Sequence, residues 1–485
     1  MADYSQLPTL ITDAKREALI AEMTCNEWDF EGDKFTKSQN YGESYASQSV
    51  TLDGQASGSS YNGGASNDND TGLAQAALDE FNGVKSKWDG QIDELVAGWD
   101  HLDDPTKYDG MIGSMGAAIK KVAAGTGSDD SQLGNPDLTE IGFIRQRLAQ
   151  NAGQTVEQFY RCYGPEKLEL VLDGHCEVMA SLGLAVAGQK EIWTKTRTDV
   201  ATILEAGVAG FTQTRQNNDT DWKAVISVAT AGIGVLSAFT AGVPGLAPIL
   251  AAVSATGGFL GAAIDALPKT AEPKNEAYTG SHPDTVFSDL KKAFTVLETS
   301  INEQEVGHET MLDTMLAAVA DTTNRGNFHI HAAAGLAPEF GGTDDIIDMK
   351  YPVLETIGYT SMPLIARAFL DSVDNAEAAD DQTTWFRPYA SVPAGAIGSG
   401  AYGPYYAWQG LYRAIFPLMN DTAAEVVRAG EHLAEAAGYV RDSDQWAKDA
   451  LGKNYQDIQG ADLGWQAPYT PPPPPAYPHG HNIPI

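Results

Sequence analysis

Residues 137–215 read DLTEIGFIRQRLAQNAGQTVEQFYRCYGPEKLELVLDGHCEVMASLGLAVAGQKEIWTKTRTDVATILEAGVAGFTQTR. Before the turn Asn151-Ala152-Gly153-Gln154, the residues Ile141, Ile144, Arg145 and Leu148 fall at helical spacing. After it, Phe159, Leu168, Leu170, Leu172, Met179, Leu182, Leu184, Ile192, Trp193 and Ile203 recur mostly at threes and fours, the period of one helix face. The spacing predicts a short helix, a tight glycine turn and a long return helix, or two with a break at Gly164-Pro165: an αα-hairpin.

Working outward, residues 1–70 hold a helix at Leu10–Met23 and then lose regularity. SQSVTLDGQASGSSYNGGASNDNDTG reads as flexible, and YASQSVTL as one strand without an obvious partner. A helix starts near Thr71 and carries Leu78, Phe81, Val84, Trp88, Ile92, Leu95 and Trp99 in register. Another spans Asp109–Ala124. From Ala224 to Ile264 no residue is charged. The stretch divides at Val243-Pro244-Gly245 into arms of roughly 19 to 22 residues, each just long enough to cross a bilayer. Its many small residues suit close helix packing. Three readings stay open: a hairpin buried in the protein or an oligomer interface, a hairpin that enters a membrane, and a constitutive anchor. Amphipathic helices follow at Thr285–Ala320, Val353–Val373 and Ala407–Leu451, and GWQAPYTPPPPPAYPHGHNIPI ends the chain as a polyproline-type tail.

Asp+Glu 65 against Lys+Arg 31 gives a net charge of −34, which disfavours nucleic acid and anionic lipid as partners. Cys25, Cys162 and Cys176 make no disulfide framework and read as free buried thiols. The N-terminus lacks the basic and apolar regions of a signal peptide. None of the phosphate-binding, zinc-protease or nucleophile-elbow patterns occurs, and no G-x-G-x-x-G follows a strand. His329 and His331 with Asp344 and Asp345 do not form a matched ligand set. Gly307-His308-Glu309 reads as helix surface. The expectation is a non-enzyme with no metal and no cofactor.

Around Asn151, LAQNAGQTVEQFYRCY resembles the WXG family of type VII (ESX) secretion substrates, whose plan is helix, W-x-G turn, then an aromatic early in the second helix. Gly153 matches the motif glycine and Phe159 the aromatic, while Asn151 stands where the tryptophan belongs. KEIWTKTRTDVATI is similar to longer actinobacterial relatives. VVRAGEHLAEAAGYVRDSDQWAKDAL resembles the C-terminal helix whose Y-x-x-x-[DE] element serves as an export signal; here Tyr439 is followed by Asp442 and Asp444. A literal W-x-G at Trp88-Asp89-Gly90 reads either as the family's turn or as a core tryptophan on an uninterrupted helix.

The expected fold is mainly α: an elongated bundle of long helices with a WXG-like hairpin (137–215), a central apolar helical hairpin (224–264) and a disordered proline-rich tail. The segments are 1–70, partly flexible; 71–325, the bundle; 326–460, helical with Gly/Pro/Tyr-rich loops; and 461–485, the tail. The resemblance implies a self-assembling structural or interaction protein, cytoplasmic and then secreted or envelope-associated without a signal peptide. Its partners would be the type VII machinery and itself or another helical protein. The alternative from the residues is a pore-forming or membrane-active protein that inserts 224–264.

Overall fold

Two long helices form the spine, α6 (Pro165–Thr214) and α9 (Pro283–Ala320). The structure is a computed structural model that describes residues 3–460 apart from 42–43, 63–64, 125–133, 152–153, 216–219, 227–236, 238, 256–257, 268–273, 281, 331–349 and 388–396. Gly188 of α6 lies against His308 of α9, and Gly207 against Leu290, so the helices run antiparallel. From Leu182 to Gln189 every residue of α6 is buried. A helix that is apolar all round belongs in a core. Here that core is protein: this is the one described helix long and apolar enough to cross a membrane, and 89% of its most apolar window is buried.

Around the spine pack α1 (Leu7–Cys25), α2 (Thr71–Val96), α3 (Asp109–Val122), α4 (Thr139–Leu148) and α5 (Gln154–Tyr163). The later helices follow: α7 (Leu246–Ala255), α8 (Phe259–Asp265), α10 (Tyr351–Thr356), α11 (Met362–Glu377), α12 (Gln382–Trp385) and α13 (Tyr405–Gly460). A π-helical turn, Ile357–Ser361, joins α10 to α11. Starts follow local chemistry. Asp70 accepts hydrogen bonds from the Gly72 and Leu73 amides at 3.1 and 3.2 Å and caps α2. Pro165 opens α6, because proline suits a first helical turn but cannot continue α5. The break expected at Gly164-Pro165 is therefore present. One apolar cluster runs from Leu7 to Ala437, so residues 326–437 share the core of the preceding bundle. The tail, 461–485, lies outside the described residues.

The N-terminal 70 residues correct the sequence reading. Five strands, β1 (Asp29–Glu31), β2 (Lys34–Tyr41), β3 (Ser44–Thr51), β4 (Ala56–Asn62) and β5 (Ala65–Asn67), form an antiparallel meander in chain order. All of YASQSVTL but its last residue, Leu52, lies within β3, which has partners on both sides. The sheet was hard to read because its faces are hydroxyl-rich. Ser49 and Ser57 pair at 2.7 Å, and Ser44 donates to Asn62 at 3.1 Å. Among the described residues only Phe35 and Val50 supply large, fully buried apolar side chains from its strands. Phe35 packs on Phe30 and Phe81, with centroids at 4.7 and 6.2 Å, which fixes the sheet to α2.

The cysteines also depart from expectation. All three are free, but Cys25 is exposed and Cys162 half-buried; only Cys176 is buried. Burial pushes the Cys176 thiol well up, which keeps it unreactive.

Candidate functional site

The organising turn is held by Asn151. Its Nδ2 donates to the Arg147 carbonyl at 2.8 Å, and its Oδ1 accepts the Lys350 amide at 2.6 Å. A buried asparagine is satisfied only by such partners, so this side chain ties the end of α4 to the start of α10. Gly153 lies outside the described residues. Phe159 is buried on α5, 5.9 Å from the Tyr163 ring. Helix α4 rests on α6, where Arg145 pairs with Glu166 at 3.4 Å and Glu169 at 2.6 Å.

Trp88-Asp89-Gly90 makes no turn. All three lie inside α2, so the hairpin reading of Trp88 and Gly90 is corrected. One glycine costs a helix interior about 1 kcal/mol, too little to break a helix whose apolar face continues through it. Trp88 is a core bolt instead. It meets Phe211 of α6 edge-on at 5.5 Å and Phe287 of α9 at 5.7 Å, with Lys87 Nζ 4.6 Å from its ring.

The uncharged stretch is corrected in its described parts; residues 227–236 and 238 of its first arm lie outside them. Ala224–Ile226 end β6 (Thr220–Ile226), which pairs antiparallel with β7 (Lys274–Gly280). The turn at Val243-Pro244-Gly245 is present, with Gly245 at φ +79° and the Leu246 amide bonded to the Val243 carbonyl at 3.2 Å. The second arm is not one span: α7 has 10 residues and α8 has 7. About 15 Å of α7 covers half a hydrocarbon core. Helix α8 is pinned by Glu177, a buried carboxylate of α6 that accepts the Leu260 amide at 2.8 Å. A Cβ at Gly258 would occupy the space of that carboxylate. Burial raises the Glu177 pKa, and the Leu260 and Phe259 amides draw it partly back.

Sequence reasoning missed the polar groups inside the spine. Glu305 of α9 and Arg387 form an ion pair with side chains 0% and 1% exposed. Arg387 also donates to the Gly400 carbonyl, the Ser399 amide donates to Glu305 at 2.7 Å, and the guanidinium sits 5.0 Å from the Trp193 ring. This lattice ties the segment around 397–403 to α6 and α9. His308, expected on the surface, is fully buried: its ring fills the space that Gly188 leaves on α6. His175 donates through Nε2 to the Phe328 carbonyl at 3.1 Å and stacks on that ring. Burial holds both histidines down to about 4. Beside His175, burial and then the Glu169 charge raise Asp173 to about 6. Gly188 was the only local sign, since a glycine inside a buried helix marks close approach.

Near the far end of α13, Tyr439 is 59% exposed. Asp442, one turn on, accepts Arg441 Nε at 3.1 Å, and Arg441 also pairs with Glu355. Of Asp444 only the helical backbone is described. Among the described residues no group of three or more His, Cys, Asp or Glu is placed to hold a metal ion. Compared with known proteins, the chain matches no family, no characterised protein and no solved structure.

Proposed function

We propose that the protein is a non-enzymatic structural or interaction protein, exported by or associated with a type VII secretion system and self-assembling or paired with a helical partner. The observation that carries this reading is the outer part of α13, beyond Ala437, the last core residue among the described ones. There Tyr439 stands 59% exposed with Asp442 three residues on. Residues three and four apart share a helix face, so Asp442 supplies the tyrosine-plus-acid pair although the resembled motif spaces it at four. A receptor reading that face needs it open to solvent, and Tyr439 is exposed there. The test is secretion of the full chain and of Tyr439→Ala from a host with and without the type VII ATPase. Export that requires both supports the reading; retention of the parent chain in the cytosol regardless of the ATPase ends it.

A second reading, membrane activity of 224–264, is favoured by one observation: this apolar stretch has an exposed outer face at Ala247, Pro248, Gly261 and Ala262. Gly261 has open space at its Cβ position, so Gly261→Asp charges that face without disturbing the core. A membrane-active protein would lose liposome binding on that change.

A further inference from the structure

We propose that the proline-rich tail of this chain docks back along α13, placing Pro471–Pro475 in a groove between α5 and α13. The groove measures about 480 Å³ and is lined chiefly by Phe159, Cys162, Tyr163, Ala429, His432 and Leu433. Its walls suit proline. Phe159 and Tyr163 stand one turn apart with rings tilted 39°, and Leu433 and Ala429 face them from α13. Proline-rich segments bind such aromatic grooves through stiff, pre-extended prolyl faces, with little conformational entropy left to lose.

Three observations choose this occupant. First, the groove continues into a stripe. His432, Tyr439 and Trp446 fall seven residues apart on α13, and the two larger rings are 59% and 45% exposed; sevenfold spacing keeps side chains on nearly one face. Second, the lengths agree. Measured back from Gly460 at 1.5 Å per residue, Trp446, Tyr439 and His432 lie about 21, 32 and 42 Å away. A chain leaving Gly460 at about 3.1 Å per residue reaches those distances near Ala467, Thr470 and Pro473. The proline run thus arrives where the groove begins. Third, no Asp, Glu, Lys or Arg occurs from Leu463 to Ile485, whereas the whole chain carries −34. An uncharged strand escapes the repulsion that such a surface exerts on acidic partners.

Cys162 lines the groove and reports occupancy. In the full chain with Cys25→Ser, the rate of thiol modification at Cys162 is compared with a form carrying P471G, P472S, P473G, P474S and P475G. Cys176 is buried and should react slowly. A tether of this length gives an effective concentration of about 1 mM, so a site with Kd near 0.1 mM is filled about nine-tenths of the time. The parent should therefore react about tenfold more slowly than the substituted chain. A synthetic peptide of residues 465–478, added in excess to the substituted chain, should restore protection. Equal rates in the two chains would overturn the proposal. Protection that fades on dilution would overturn it too, by assigning the groove to the tail of a second copy.

Discussion

Helix α6 and the stretch from 224 to 264 are the two most membrane-like parts of this sequence, and the fold treats them differently. Helix α6 runs unbroken for 50 residues and is matched by a second long helix, so its large side chains and its glycines meet complementary surface. The uncharged stretch has proline and glycine at its turn and short helices beyond, with small residues left facing outward. Apolar composition alone therefore does not select burial. A continuous face with a long, complementary partner does, as where the 38 residues of α9 lie along the 50 of α6. The spine also holds ions and imidazoles: Glu305 meets Arg387, and His175 meets the Phe328 carbonyl. His308 fills the space at Gly188, although neither of its ring nitrogens has a hydrogen-bond partner among the described residues. Helix α8, by contrast, has its N-terminus secured by one carboxylate.

Breaking the spine should have the largest effect. Arg387→Ala leaves Glu305 buried without its cation and should destabilise the protein by about 3–5 kcal/mol, read as a fall in denaturant midpoint. A smaller effect sharpens the role of the buried rings. His175 and His308 titrate near 6.5 when unfolded and at about 4 when folded. The unfolded chain then binds more protons between those values, so their contribution is lost as pH falls from about 6.5 towards 4. Asp173 acts oppositely: its folded pKa is raised to about 6, so its penalty is relieved as pH falls through that value. His308→Leu should accordingly lose about 2–3 kcal/mol less than the parent between about pH 7 and pH 4.5, measured by urea unfolding at each pH.

Glu177→Ala comes next. Losing a charge-assisted acceptor for a buried amide should cost about 1–2 kcal/mol, and faster amide exchange should be confined to 259–265. Tyr439→Ala should shift stability by less than about 0.5 kcal/mol in thermal melts, while it reduces export in the secretion assay.

The helices were legible because their periodicity is local. Asp70 and Pro165 announce their helix starts, and Gly164-Pro165 its break. The meander was obscured by Ser, Gln and Asn where β-branched and aromatic residues usually mark strands, although Gly32, Gly42, Gly54 and Gly63 punctuate it at nearly regular intervals. His308 looked like surface because its neighbours are polar; what buries it is Gly188, 120 positions earlier on the antiparallel helix. Asn151 was placed at a turn, but its tie to Lys350 spans 199 residues and leaves no local pattern. Tyr439 could be recognised as a motif residue, whereas its exposure depends on where α13 leaves the core.

Hydrogen exchange resolved along the chain tests the contrast between the two apolar regions most directly. Amides of 171–204 and 286–312 should exchange only with global unfolding, and those of 246–265 faster by at least about tenfold, with Glu177→Ala widening the gap. Equal protection of both regions, unchanged by Glu177→Ala, would contradict a spine and a separately pinned apolar hairpin.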